Sequence, residues 1–115
     1  MPDVTYKKFE DLDAYQGTGR RQFLYAGKSV GVTAWKMNVL DLPANWDGYP
    51  DHDHAKDGQE EVYVTLKGSA ELTADGESWS LTPGTIVRVG AKQKRKITPG
   101  PDGATILAIG GTPPV

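Results

Sequence analysis

Apolar and polar residues alternate along several short stretches of the chain, which is the spacing of half-buried β-strands. Residues 30–40 predict one strand, with Val, Val and Ala on one face and Thr, Trp, Met and Val on the other. Residues 61–72 predict a second strand, in which Gly68 favours a bulge or sharp bend. The same alternation predicts further strands over residues 78–81, 86–89 and 104–109.

Turn signals separate these stretches. Asp75-Gly76 is a pair that favours a two-residue hairpin loop, and Pro83-Gly84 suits a turn with proline second and glycine third. Proline and glycine over residues 99–103 predict another turn. A single helical turn is predicted within residues 9–15, and no segment has a sustained helical period.

Six or more short strands in 115 residues predict an all-β fold. Because an open sheet exposes its edge strands, we expect a β-sandwich or a closed β-barrel. The length suits one domain over residues 1–115, with an interior that offers a pocket for a small molecule.

Composition narrows the classes of function. The net charge of −2 argues against a general nucleic-acid binder, and no apolar run is long enough to cross a membrane. The basic cluster over residues 92–96 either attracts an anionic substrate or is a solvated stretch beside a turn. The first residues contain neither a basic segment nor an apolar one, so we expect a cytoplasmic protein.

His52 and His54 are the only histidines, and in an extended segment both side chains point to the same face. Glu60-Glu61 follows shortly after them. The chain contains no cysteine, so imidazole and carboxylate are its strong metal ligands. The pattern predicts a metal site; the alternative interpretation is a polar loop between Pro50 and Gly58.

These residues resemble the cupin family. His52-Asp53-His54, then Glu61, six residues and Gly68 resemble its first motif, and residues 76–89 resemble the start of its second, so that the likeness covers residues 48–98. The resemblance implies an all-β fold, a small antiparallel β-barrel or jelly roll. It also implies that the protein holds one divalent metal, Fe, Mn, Ni, Co or Zn, through His52, His54 and Glu61.

In function, the resemblance implies a metal-dependent enzyme, such as a dioxygenase, isomerase or lyase, that acts on a small polar or anionic molecule. The alternative is a ligand-binding or sensory cupin without catalysis, in which metal binding is weakened or lost. The resemblance to cupins also implies a homodimer that pairs through an N-terminal strand, here residues 4–9.

The identity of the carboxylate ligand depends on how the motif is counted. Counting forward from His54 selects Gln59, whereas counting back from Gly68 selects Glu61. The more apolar face of the strand carries Glu60. We choose Glu61, because the six-residue spacing along the strand to Gly68 is kept, whereas the loop after His54 is longer than the motif has.

The second cupin motif usually ends in a further histidine ligand, and alignment of residues 89–94 places Lys94 there. A protonated lysine cannot coordinate a cation. Either the ion is held by the first motif alone with water elsewhere, or the pocket is kept without metal. Lys94 and Tyr63 are the candidate catalytic residues: Lys94 as a base or a counter-charge, and Tyr63 because it would line the pocket beside Glu61.

Overall fold

The computed structural model describes residues 2–14 and 22–114, and strands dominate this part of the chain. The elements in chain order are a 3-10 turn Phe9–Asp11, β1 Asp13–Ala14, β2 Phe23–Tyr25, α1 Ala26–Val30, β3 Lys36–Leu42, β4 Glu60–Ala74, β5 Glu77–Leu81, β6 Ile86–Val89 and β7 Lys96–Gly111. Among the described residues, no helix is long and apolar enough to span a membrane.

The strands form an antiparallel sheet in the order β1-β2-β3-β7-β4-β5, with β6 paired to β4. The long strands β4 and β7 pair with each other, while the first half of β4 also pairs with β6 and its second half with β5. The predicted all-β jelly roll is confirmed. Pairing among the described residues leaves the sheet open, so it does not close into a barrel.

The bend predicted at Gly68 is found, since the register between β4 and β7 shifts on both sides of this residue. Gly68 has a φ of +74°, and an added Cβ would collide with the carbonyl oxygen of Gly103. Only glycine fits this close approach of two strands. The Asp75-Gly76 hairpin is also found, with positive φ at both residues between β4 and β5.

The structure corrects three predicted elements. Residues 30–40 are not one strand, because α1 ends at Val30, Gly31 follows with a φ of +85°, and β3 begins at Lys36. The predicted turn over residues 99–103 is an irregularity inside β7, where the pairing to β4 jumps between Ala104 and Pro99. Residues 4–8 contain no strand in the structure.

Within the described part of the chain, two apolar clusters stabilise the sheet. The larger one fills the interior of the jelly roll and includes Tyr63, Leu72, Ile97 and Ile106, which are almost fully buried. The smaller one lies between α1, β2 and the other face of β3, where Val39 is buried. The main cluster extends up to Tyr49 and Tyr63, so it forms the floor beneath the two histidines.

Candidate metal centre

A short antiparallel contact positions both histidines. His52 and Arg95 each donate a backbone N–H to the other's carbonyl oxygen, at 3.0 and 2.9 Å, and the N–H of His54 donates to the carbonyl of Ala91 at 2.8 Å. The extended backbone turns both imidazoles to one side, with ring centroids 5.2 Å apart. This is the convergence that the spacing predicts.

Glu61, at the start of β4, completes the cluster. Its Oε1 lies 3.2 Å from Nε2 of His54, and ligand atoms of His52, His54 and Glu61 lie within 4.8 Å of one another. Glu60 lies on the opposite face, where its carboxylate accepts a hydrogen bond from Arg88 at 2.9 Å. The placement agrees with the choice of Glu61 over Glu60.

The outer contacts of the histidines suit metal binding. Nδ1 of His52 lies 3.0 Å from the carbonyl oxygen of Pro50, which can only accept, so this nitrogen carries a proton. Nδ1 of His54 likewise faces the carboxylate of Asp57 at 3.1 Å. Each ring can therefore present Nε2 to an ion, and two imidazoles with one carboxylate suit a divalent transition metal.

Arg95 is a further member of the centre, and the motif pattern of the sequence does not predict it. Its side chain is fully buried, and it donates from one guanidinium nitrogen to Oε1 of Glu61 at 2.8 Å, from a second to the carbonyl of Gln93 at 2.7 Å, and from Nε to the hydroxyl of Tyr63 at 3.2 Å. Each of the three guanidinium nitrogens therefore donates a hydrogen bond.

Tyr63 connects Arg95 and Glu61 to the interior. Its hydroxyl donates its one proton to Oε1 of Glu61 at 2.7 Å, so the hydroxyl of Tyr49, 3.0 Å away, must donate to Tyr63. Tyr49 therefore donates a hydrogen bond to Tyr63, which in turn donates one to Glu61. Because Tyr63 is almost completely buried, this path is shielded from water.

Burial fixes the charge states of this network. Burial and, second, the charge of Glu61 raise the pKa of Tyr63 to about 12, and burial raises the pKa of Tyr49 well above its usual value. Burial lowers the pKa of Arg95, but its contacts with Tyr63 and Glu61 outweigh that effect and leave the pKa raised. At neutral pH the centre holds two neutral phenols and one permanent cation.

The structure corrects the inward position expected for Lys94. Its side chain is exposed and lines a separate shallow cavity with Asp51 and Lys96. Successive residues of an extended chain alternate in direction, and it is Arg95 that points inward with Ile97. Arg95 lies two residues before the apolar Ile97, so both side chains point to the same face, and this spacing is the sequence signal for Arg95. A catalytic role for Lys94 stays a prediction.

Two cavities meet at His54 and Glu61. The outer one, about 860 Å³, is lined by His54 and Glu61 together with Lys28 and Lys36. The inner one, about 340 Å³, also contacts His54 and Glu61. Its other lining residues are mostly aromatic or apolar: Phe23, Leu40, Tyr49, Pro50, Tyr63 and Ala108, with Asn38 and His52. A molecule in either cavity reaches the same cluster.

Comparison with known proteins gives likeness in structure rather than in sequence. No protein-family model matches the chain, and no match is found among curated proteins. A cupin protein from Bacteroides fragilis has a similar structure, with a TM-score of 0.65 and 23% identity, over 89% of this chain and 85% of that one.

Two further solved structures have the same fold. A cupin-superfamily sugar phosphate isomerase from Silicibacter pomeroyi has a TM-score of 0.68 and 20% identity, over 80% of this chain and 59% of that one. The cupin domain of an XRE family transcriptional regulator from Enterobacter cloacae has a TM-score of 0.61 and 17% identity, over 70% of this chain and 84% of that one. The chain therefore has the fold of the cupin superfamily.

Proposed function

We propose that this protein is a metal-dependent cupin enzyme, in which His52, His54 and Glu61 bind one divalent transition metal. The observation that carries the proposal is the convergence of these three side chains beside a cavity large enough for a metabolite. Three ligands from the protein leave further positions for water or substrate. Iron, manganese, nickel, cobalt and zinc all suit this donor set.

The substrate that suits the outer cavity is a small polar anion. Lys28 and Lys36 balance the carboxylates Asp57 and Glu61 in the lining, so a bound divalent ion would make the cavity net positive. Asn38, at the junction of the two cavities, offers an amide donor and an acceptor. A carboxylate or phosphate group would be attracted toward the lysines. The opposite end of the molecule would then face His54 and Glu61.

Isomerisation of a small hydroxy-carbonyl anion is the reaction type we propose. A bound divalent ion would supply Lewis acidity that polarises a carbonyl group. Isomerisation moves a proton between neighbouring carbons and needs no external oxidant or reductant. The similar structure of a sugar phosphate isomerase supports this choice over dioxygenase or lyase chemistry. Tyr63, a buried neutral donor, would keep Glu61 in place during the reaction.

Metal content and proton exchange test the proposal. We expect about one equivalent of metal in protein purified without added metal, and its loss in His52→Ala. Small sugar phosphates and hydroxy acids in D₂O should then exchange a carbon-bound proton, observed by NMR, in the parent and not in His52→Ala. Metal-free parent protein, or exchange that survives in His52→Ala, would contradict the proposal.

A non-catalytic, ligand-binding cupin is the second candidate function. The observation in its favour is that Arg95 already neutralises Glu61, so that the carboxylate has a partner without any metal. A transcriptional regulator also carries a domain of this fold. Ligand binding by metal-free protein, with no turnover after metal is added, would favour this candidate. The proposed location remains the cytoplasm.

A further inference from the structure

The backbone pairing places position 95 beside His52 at the metal centre. His52 and Arg95 exchange both of their backbone hydrogen bonds, so they are directly opposite each other in an antiparallel pair. Residues in such a pair project their side chains to the same face, as neighbours. The side chain at position 95 therefore begins where a further ligand, adjacent to His52, would begin.

A cation fills that position instead of a ligand. The guanidinium of Arg95 has no lone pair to donate and stays protonated in proteins. It is fully buried and fixed by Glu61, Tyr63 and the carbonyl of Gln93, so it cannot swing out to make room. This position therefore contributes no bond to an ion held by His52, His54 and Glu61.

The same guanidinium also orients the carboxylate ligand. Arg95 and Tyr63 both donate to Oε1 of Glu61, at 2.8 and 2.7 Å. Hydrogen bonds to a ligating carboxylate commonly change metal affinity by about 10- to 100-fold when they are removed. Building on the proposed function, we propose that Arg95 is a positioning residue of the metal centre: it replaces a fourth protein ligand, holds Glu61 in place, and limits the protein's share of the coordination to three side chains.

Conversion of Arg95 to histidine tests whether position 95 can supply a metal ligand. Loaded with Cu²⁺, the parent should show two coordinated imidazole nitrogens by pulsed EPR, and Arg95→His should show three. The dissociation constant of Arg95→His for Zn²⁺, measured by chelator competition, should fall at least about tenfold. The gain of an imidazole ligand and the removal of a like charge should outweigh the loss of one hydrogen bond to Glu61, to which Tyr63 still donates. Arg88→His, on the opposite face beside Glu60, is the matched control and should change neither value.

Conversion of Arg95 to lysine tests the orientation of Glu61. Arg95→Lys keeps the charge but loses the planar fork that bonds to three partners, so the Zn²⁺ dissociation constant should rise about tenfold. Arg88→Lys should leave it unchanged. If circular dichroism shows that Arg95→Lys is unfolded, Tyr63→Phe removes the other donor to Glu61 and should weaken binding in the same direction.

The outcomes separate this inference from the proposed function. If the parent binds metal but Arg95→His still shows two imidazoles at unchanged affinity, the inference fails and the proposed function stands. If the parent binds no metal while Arg95→His does, the proposed function fails and the replaced ligand position is supported. Unchanged affinity in both Arg95→Lys and Tyr63→Phe would overturn the positioning of Glu61.

Discussion

Nε2 of His54 lies 3.2 Å from Oε1 of Glu61, while Nδ1 of the same ring lies 3.1 Å from Oδ2 of Asp57. One imidazole thus lies between two carboxylates, of which Glu61 belongs to the ligand cluster and Asp57 lies outside it. Such an arrangement fixes the orientation of the ring, so that its inner nitrogen faces the ligand cluster. Asp57 is therefore part of the centre, although it does not converge with the three candidate ligands.

Replacing Asp57 should weaken metal binding. Burial raises the pKa of this carboxyl group, but hydrogen bonds from the backbone of Gln59 and from His54 outweigh that effect and lower it, so the group is ionised at neutral pH. In Asp57→Ala the ring of His54 loses its support, and the Zn²⁺ dissociation constant should rise about tenfold. Asp51 is an exposed carboxylate that lines a separate cavity, so Asp51→Ala is the control and should leave the dissociation constant unchanged.

The two neighbouring glutamates should differ in stability as well as in metal binding. Glu61→Gln leaves the buried Arg95 without its counter-charge, which should cost about 3 to 5 kcal/mol of unfolding free energy. Glu60→Gln breaks the exposed pair with Arg88 and should cost less than about 1 kcal/mol. Urea denaturation in the presence of a chelator measures both without a contribution from metal. Equal losses, or a larger loss in Glu60→Gln, would contradict the assigned register.

Much of the fold and part of the site could be predicted from local sequence. Gly68 and Asp75-Gly76 specify backbone conformations that few other residues adopt. The bend and the hairpin can therefore be predicted from these residues alone, whatever the chain packs against. The spacing of His52 and His54 is equally local, since alternation in an extended segment fixes their common face. These predictions needed no knowledge of distant residues.

Arg95 could not be found by counting along the second motif, because the count passes through a loop of unknown length before β7. A slip of one residue exchanges the inward and outward faces of an extended segment, so the count along the motif gives Lys94 in place of Arg95. The helix α1 was missed because alternation of valines continues through Gly31, where the left-handed backbone ends the helix. The end of α1 depends on context that only the folded chain supplies, whereas alternation with Ile97 is a local signal for Arg95.

High pH should destabilise the protein through its buried phenols. The folded-state pKa of Tyr63 is raised to about 12, so the neutral form is favoured in the folded protein, and stability from this group is fully present below the unfolded pKa of about 10. It is lost as pH rises between about 10 and 12. Tyr49 acts in the same direction.

Ultraviolet absorbance of tyrosinate measures this effect. Of five tyrosines, Tyr49 and Tyr63 should ionise last, together with unfolding seen by circular dichroism. Tyr63→Phe should remove one late-titrating group. Titration of all tyrosines near pH 10, with no loss of structure, would show that these phenols are not buried as described.

We predict that the protein is a homodimer that pairs through its N-terminal residues. Val4 and Tyr6 are 77% and 82% exposed, which leaves two large apolar side chains in water at the start of the chain. Contact with a second copy would bury them, and each buried side chain of this size contributes about 1.5 to 3 kcal/mol.

Light scattering at micromolar concentration should give twice the mass of the chain, and the double variant Val4→Asp, Tyr6→Asp should give a monomer. Ile86 on β6 is 71% exposed and offers a different apolar surface through which two copies could pair. Ile86→Asp should leave the dimer intact; a monomeric parent, or a dimer lost only in Ile86→Asp, would contradict pairing through the N-terminal residues.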